Sequence, residues 1–332
     1  MKPPTVISLF CGCGGSSLGY HYAGYEELLA IDFEDNAVET FKLNFPKVPV
    51  WQRDISEVTA QEILDFTGLK VGELDTLDGS PPCQGFSLAN NNRCPTDERN
   101  DLVNHYIRLV RELQPKTFIM ENVASMNQGD FYPMFKGYIK NMKEAGYHVK
   151  WQVLNASHYN VPQARERMIV LGVRKDLGNF PMFPQKEDKV ITVREALENV
   201  PQDEEVMAPK GGALQLALQM KPGEGGSKYH PKGHYFGLRR IEMDKPCPTV
   251  IKTFSSQGTG LLHPEEDRYL TISEVKRIFS FPDDFQFIGK FSNKWARLGN
   301  CVPPRLMEAI ARNMKETVFE GKKMKGTIEE WL

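Results

Sequence analysis

The sequence predicts an α/β protein: a mostly parallel sheet covered on both faces, with a second, smaller and loop-rich domain. Two observations carry this expectation. Up to Arg174, short β-branched runs alternate with helical spacings, the pattern of strands joined by crossover helices. Beyond it the texture turns glycine- and proline-rich with weak periodicity. The expected boundaries are a first domain at 1–175 plus 295–332 and a second at 176–294.

The elements follow in order. TVISLF (5–10) reads as a strand, then a glycine-rich turn, then a helix beginning near Ser17. ELLAID (27–32) is a second strand, and DNAVETFKLNF follows with helical spacing. VPVW, LDTLD, KTFIME and MIVLGV supply further strands, with DFYPMFKGYIKNMKEAG a helix between the last two. A final amphipathic pattern, PRLMEAIARNMKETVF (304–319), is expected to return to the first domain and complete its outer layer. In such sheets ligands sit beyond the carboxyl ends of strands. The residues with chemistry to offer fall at those ends.

Composition narrows the class. The chain has 332 residues, 40% hydrophobic and 25% charged, with a net charge of −2, which is ordinary for a globular protein and neither demands nor excludes nucleic acid. No apolar run approaches the roughly 18 residues of a membrane span, and MKPPTVISLF lacks the layout of a signal peptide. Cysteines 11, 13, 83, 94, 247 and 301 form no CxxC pair, so reduced thiols in the cytoplasm are expected, and no metal. HPE (263–265) resembles half of a zinc deaminase motif but lacks the paired cysteines that should follow, and reads as a surface turn.

Four stretches carry chemistry. In FCGCGGSSLG (10–19), Gly12, Gly14 and Gly15 let a backbone approach a ligand at a helix start, with a spacing that is not GxGxxG. Asp32 ends the next strand, placed for ribose hydroxyls, and Asp54 follows the third strand, placed for an adenine amino group. Together they point to an adenosine-containing cofactor. In DGSPPCQGFS (78–87) two prolines fix Cys83 at a strand end. A thiol there suits a carbon target: addition at carbon 6 of cytosine turns carbon 5 into an enamine carbon. Glu121, ending the apolar strand of FIMENV, is the acid such an addition needs near ring nitrogen 3. In QARER, Gln163, Arg165 and Arg167 alternate at period two and are expected on one strand face, where arginines need acceptors. From Val206 to Pro264, eight Lys/Arg stand against three Asp/Glu, interleaved with aromatic residues, a mix suited to phosphate contact.

Taken together, FCGCGG, PPCQGFS, ENV, QARER, RYLTISEVKRIFSFPDDF and RLGNCVPP resemble, in order, the motifs of the DNA (cytosine-5) methyltransferase family. The likeness runs from near residue 5 to near 319 and omits only about 175–265. It implies a Rossmann-like S-adenosylmethionine-dependent methyltransferase fold with a smaller DNA-recognition domain. It implies Cys83 as nucleophile, Glu121 at nitrogen 3 and Arg165 on the base oxygen. Phe10, Gly12, Gly14, Gly15, Asp32, Phe33, Asp54, Ile55, Pro82, Asn300 and Val302 would hold S-adenosylmethionine. Gln84, Ser87, Arg99, Gln163 and Arg167 would meet the DNA, with Gln84 to Arg99 a loop over a flipped cytosine. Asp32 stands where many members have Glu, and Cys301 where a small hydroxyl or alanine is common.

The resemblance further implies double-stranded DNA as partner, with either a cognate restriction endonuclease in the same system or a solitary enzyme. A monomer is expected because the active site looks complete within one chain, in the cytoplasm at the nucleoid. The alternatives are the same reaction on RNA such as tRNA, a catalytically idle recognition protein, and a dehydrogenase. The other large class of RNA cytosine-5 enzymes uses two cysteines, and here Glu121 occupies the second site. A dehydrogenase lacks both the glycine spacing and a place for Cys83.

Overall fold

The computed structural model describes residues 2–82, 101–203, 205–233 and 237–322. At its centre a seven-stranded sheet runs in the order β3-β2-β1-β4-β5-β8-β6. The strands are β1 Thr5–Leu9, β2 Glu26–Asp32, β3 Val50–Gln52, β4 Thr76–Gly79, β5 Thr117–Val123, β6 Tyr147–Asn155 and β8 Glu166–Arg174, with β7 (Gln163–Ala164) outside this sheet. β3, β2, β1, β4 and β5 pair in parallel, and β8 lies antiparallel against β5. Strand order reverses between β1 and β4, the place where open sheets of this kind bind ligands.

The sequence explains why the middle strands are central. β1 and β4 are buried at every position, and β5 at all but its last, as strands covered on both faces must be. Ile7, Leu29, Leu77, Phe118, Met120 and Val170 form the heart of the core. Helix α4 (Asp101–Leu113) is fixed to it through Tyr106, whose hydroxyl bonds the carbonyls of Leu77 at 3.2 Å and Ile119 at 3.0 Å. Between the strands run α1 Gly15–Tyr22, α2 Asp35–Asn44, α3 Ala60–Thr67 and α5 Tyr132–Glu144. A capping box of Thr59 and Glu62 starts α3. Strand β6, YHVKWQVLN, escapes the sequence reading because its exposed and buried positions do not alternate.

The described residues divide into two compact units, one drawn from Met1–Leu154, Glu166–Gln185 and Met307–Leu332, the other from Asn155–Arg165 and Lys186–Leu306. The division differs from the expected boundaries: residues 155–165 and 295–306 group with the second unit, and 176–185 with the first. The reason is local, since Gln163 and Ala164 pair in β7 with β10 (Cys247–Pro248). The last helix, α10 (Pro304–Met314), enters the first unit at Met307, where the Tyr25 hydroxyl donates to the Ala311 carbonyl at 3.2 Å.

The second unit is built from short pieces. Among its described residues, β7 and β10 are accompanied by one further parallel pair, β9 (Leu238–Arg240) with β11 (Gly260–Leu262). Its helices are α6 Val193–Leu197, α7 Gly212–Ala217, α8 Ile272–Ile278 and α9 Phe291–Asn300. Capping boxes open α6 and α8, and Asp203 adds its carboxylate to Ser273 N–H and Oγ at 2.8 Å each. Ala213, Leu216, Leu238, Leu262 and Tyr269 form a small core. Arg240 is buried beside it and donates to the carbonyls of Ala217, Met220, His263 and Glu266. One of the eight basic residues of this region is therefore internal stitching. The HPE segment is also more internal than a surface turn: His263 is buried, and its Nδ1 accepts the N–H groups of Glu265 and Glu266.

Candidate active site

The corner between β1 and α1 is built by hydrogen bonds that the glycines permit. Cys11 N–H reaches the Ile31 carbonyl at 3.1 Å, and Gly12 N–H donates to Asp32 Oδ2 at 2.8 Å. The other oxygen, Oδ1, takes Glu34 N–H at 3.0 Å. Asp32 thus locks the loop to the end of β2, and a carboxylate has about four acceptor positions, which leaves capacity for hydroxyls. Phe10 turns the chain at φ 56°, a conformation rare and costly for a bulky residue. Such strain is retained where a side chain must be aimed. Gly14 caps α1 at φ 94°, and a Cβ there would lie 2.3 Å from the Phe45 ring. Gly14→Ala is therefore expected to cost about 1–3 kcal/mol, read as a lower urea midpoint with unchanged slope.

Two further candidates flank this corner. Phe33 is 67% exposed although it is a large apolar ring. Asp54, at the surface after β3, accepts Ser56 N–H at 2.8 Å and Ser56 Oγ–H at 2.7 Å. Those two bonds hold its carboxyl below the usual range, so it stays an anion. Ile55 is buried beneath it, with its carbonyl taken by Arg108 Nη2 at 3.3 Å.

β4 and β5 end side by side. Pro81 and Pro82 follow β4, and the Asn122 side chain on β5 donates to the Pro81 carbonyl at 3.1 Å. Asn122 is buried and braces the proline turn from the next strand. The sequence reading missed that role, although the asparagine stood in the quoted motif. Cys83, Gln84, Ser87 and Arg99, with the whole Gln84–Arg99 loop, lie outside the described residues. Glu121 is buried at the end of β5, and its Oε1 meets Arg167 Nε at 2.8 Å.

Beneath this site lies an acid that the sequence reading did not single out. Asp78 on β4 is buried and accepts the Tyr20 hydroxyl at 3.2 Å. Burial, helped by nearby Glu27 and Glu121, pushes its carboxyl well above the usual range. A raised native pKa gives stability that is full below about pH 4 and lost as pH climbs toward the raised value. Asp78→Asn fixes the neutral form, so its stability advantage over the native protein should widen between pH 5 and pH 8. Urea midpoints at the two pH values read this, and a constant gap would overturn it.

The QARER segment departs from the expected single strand face. The chain leaves the β7–β10 pair after Ala164 and enters the central sheet with Glu166, so Gln163 and Arg167 serve different sheets. Gln163 is fully buried, and its Oε1 accepts Val250 N–H at 3.2 Å. Arg165 is 1% exposed. Its guanidinium donates to the carbonyls of Val250 at 3.0 Å, Gly299 at 2.8 Å and Cys301 at 3.2 Å, and lies 5.2 Å from the Phe279 ring centre. Gly299 is required there, since a Cβ would sit 2.6 Å from the Lys252 backbone. Asn300 and Val302 flank these carbonyls, the first exposed and the second buried. Of the two arginines, the buried fork of Arg165 organises the second unit, and Arg167 meets the candidate acid.

The chain has relatives among known proteins. The C-5 cytosine-specific DNA methylase family model matches residues 4–316. The type II methyltransferase M.Sau96I of Staphylococcus aureus is 33% identical over 94% of this chain and 76% of its own. M1.HphI of Haemophilus parahaemolyticus, also a type II methyltransferase, is 32% identical over 92% of this chain and 85% of its own. Among solved structures, a prophage-encoded E. coli chain crystallised under the name of a DNA modification methyltransferase superposes with a TM-score of 0.79 at 25% identity, covering 96% of this chain and 99% of that one. The Dnmt2 methyltransferase of S. pombe shares the fold, with a TM-score of 0.68 at 20% identity over 95% of this chain and 99% of its own.

Proposed function

The chain belongs to the C-5 cytosine-specific DNA methylase family and is a DNA cytosine-5 methyltransferase, and on that premise we propose how its residues divide the reaction. S-adenosylmethionine is the donor, and it supplies an electrophilic methyl group. The corner after β1 suits it: α1 presents its N-terminus, the Cβ position of Gly12 faces open space, and the exposed Phe33 ring and anionic Asp54 stand near the ends of β2 and β3. Phe10, Asp32, Asp54 and Ile55 would hold the adenosine, with Gly14, Gly15 and Pro82 close to the chain path.

Cys83 adds its thiolate to carbon 6 of an everted cytosine, and carbon 5 then takes the methyl group. Loss of the carbon 5 proton and breakage of the sulfur–carbon 6 bond restore the ring. Glu121 shares a proton with ring nitrogen 3 as charge builds there. The contact to the base oxygen passes from Arg165, expected to make it, to Arg167. The observation that carries this is the 2.8 Å approach of Arg167 to Glu121, against an Arg165 committed to three carbonyls. Gln84, Ser87 and Arg99 belong to the loop that would close on the DNA.

The second unit would read the target sequence. Lys210, Lys221, Lys232, Arg239 and Lys252 are exposed on it and suited to phosphate. The type II relatives favour a restriction-modification role; a cognate endonuclease, a monomeric state and a cytoplasmic place at the nucleoid are part of the same proposal. No helix among the described residues is long and apolar enough to cross a membrane. The relatives are named as methyltransferases of the type II class, and the RNA reading is not favoured. Radiolabelled S-adenosylmethionine offered with duplex DNA or with tRNA tests the assignment. Label confined to cytosines of one short duplex motif supports it, and label on tRNA alone overturns it.

A further inference from the structure

Helix α5 and strand β6 enclose a cleft of about 570 Å³ that takes no part in the chemistry above. Its floor is aromatic. Phe135 is buried, and the Trp151 ring meets it edge-on at 5.3 Å while remaining 40% exposed. Tyr132, 42% exposed, lies 5.0 Å from the Lys136 ammonium. Its rim is basic. Lys136, Lys140 and Lys143 recur at spacings of four and three on α5, a single helix face about 10 Å long. Lys175 joins them, donating to the Lys143 carbonyl at 3.3 Å. Glu144 is the one acid of the lining, 3.7 Å from Lys140, which leaves three more cations than anions.

We propose that this cleft binds a single-stranded stretch of nucleic acid, with bases on Trp151 and Tyr132 and phosphates along the lysine row. Each half of the arrangement selects something. A row of cations alone would serve any polyanion, duplex included. Two exposed rings below that row add a demand for flat, unstacked bases, which a duplex keeps in its stack and a single strand offers. A membrane surface also attracts lysine beside tryptophan. Here, however, the rings line a hollow rather than crown a protruding apolar face.

The test uses the full chain and a fluorescein-labelled oligothymidylate of about ten nucleotides, within the usual site sizes of such grooves. Trp151→Ala should weaken binding roughly tenfold or more, the scale of one lost stacking partner. Trp151→Phe should keep most of the affinity. The pair Lys136→Glu and Lys143→Glu should weaken binding further and flatten its salt dependence. All three variants should methylate a duplex as the native protein does. Binding that is indifferent to Trp151 and to both lysines overturns the proposal. So does preference for anionic phospholipid vesicles over the oligonucleotide, or full competition by polyphosphate. A protein that methylates duplex while its oligonucleotide binding ignores Trp151 loses only the cleft. One that binds through Trp151 and methylates nothing loses only the reaction.

Discussion

Cys83→Ala is expected to lower methyl transfer to DNA by on the order of 10⁴- to 10⁶-fold, the scale on which covalent enzymes lose rate with their nucleophile. Carbon 5 of cytosine has little nucleophilicity of its own, so no other group in the site can substitute for addition at carbon 6. Duplex binding should persist, because phosphate contacts dominate affinity. A DNA target carrying 5-fluorocytosine sharpens the test. Fluorine cannot leave as a cation, so the sulfur–carbon adduct should accumulate with the native protein as a band stable to detergent. The variant should give none. Substantial transfer by Cys83→Ala would remove the covalent mechanism.

Arg165→Ala and Arg167→Ala are expected to fail in opposite ways. Removing the Arg165 guanidinium leaves the carbonyls of Val250, Gly299 and Cys301 without their shared donor. Stranded buried acceptors cost about 1–3 kcal/mol each, so a loss of about 3–5 kcal/mol is expected, with a clear fall in melting temperature. Lysine cannot replace the fork, since one ammonium does not span three carbonyls. Arg167→Ala should melt close to the native protein and lose about 10²- to 10³-fold in kcat, the usual cost of one electrostatic partner in a transition state. If instead Arg165→Lys stays folded and selectively loses kcat, the base contact returns to Arg165.

The contrast between the two arginines shows where the sequence was readable and where it was not. The strands were legible because β1, β4 and β5 are buried on both faces, and their β-branched runs say so directly. The glycine corner was legible because Gly14 has no alternative residue at its φ and its distance from Phe45. Glu121 stood out as an acid ending an apolar strand. Arg165 and Arg167 could not be told apart, since a period-two pattern assumes one continuous strand. The chain changes sheets between them, and that break leaves no mark in QARER. Asn122 was in view without a role, because its partner is the Pro81 carbonyl, a backbone atom that sequence patterns do not register. The cleft on α5 was illegible for another reason: Trp151 sits on a strand whose exposure does not alternate.

The strand order carries a consequence for the way the chain acquires its form. β6 leaves the ribosome before β8, yet in the finished sheet β8 lies between β5 and β6. A nascent chain that ends at residue 165 has made β6 but not the neighbour that attaches it to the sheet. Its carbonyl and amide groups must wait, or find other partners, until Glu166–Arg174 is threaded antiparallel along β5. Non-local pairings of this kind slow folding and prolong the life of an open edge. The strand that carries Trp151 is thus among the last of the sheet to be secured.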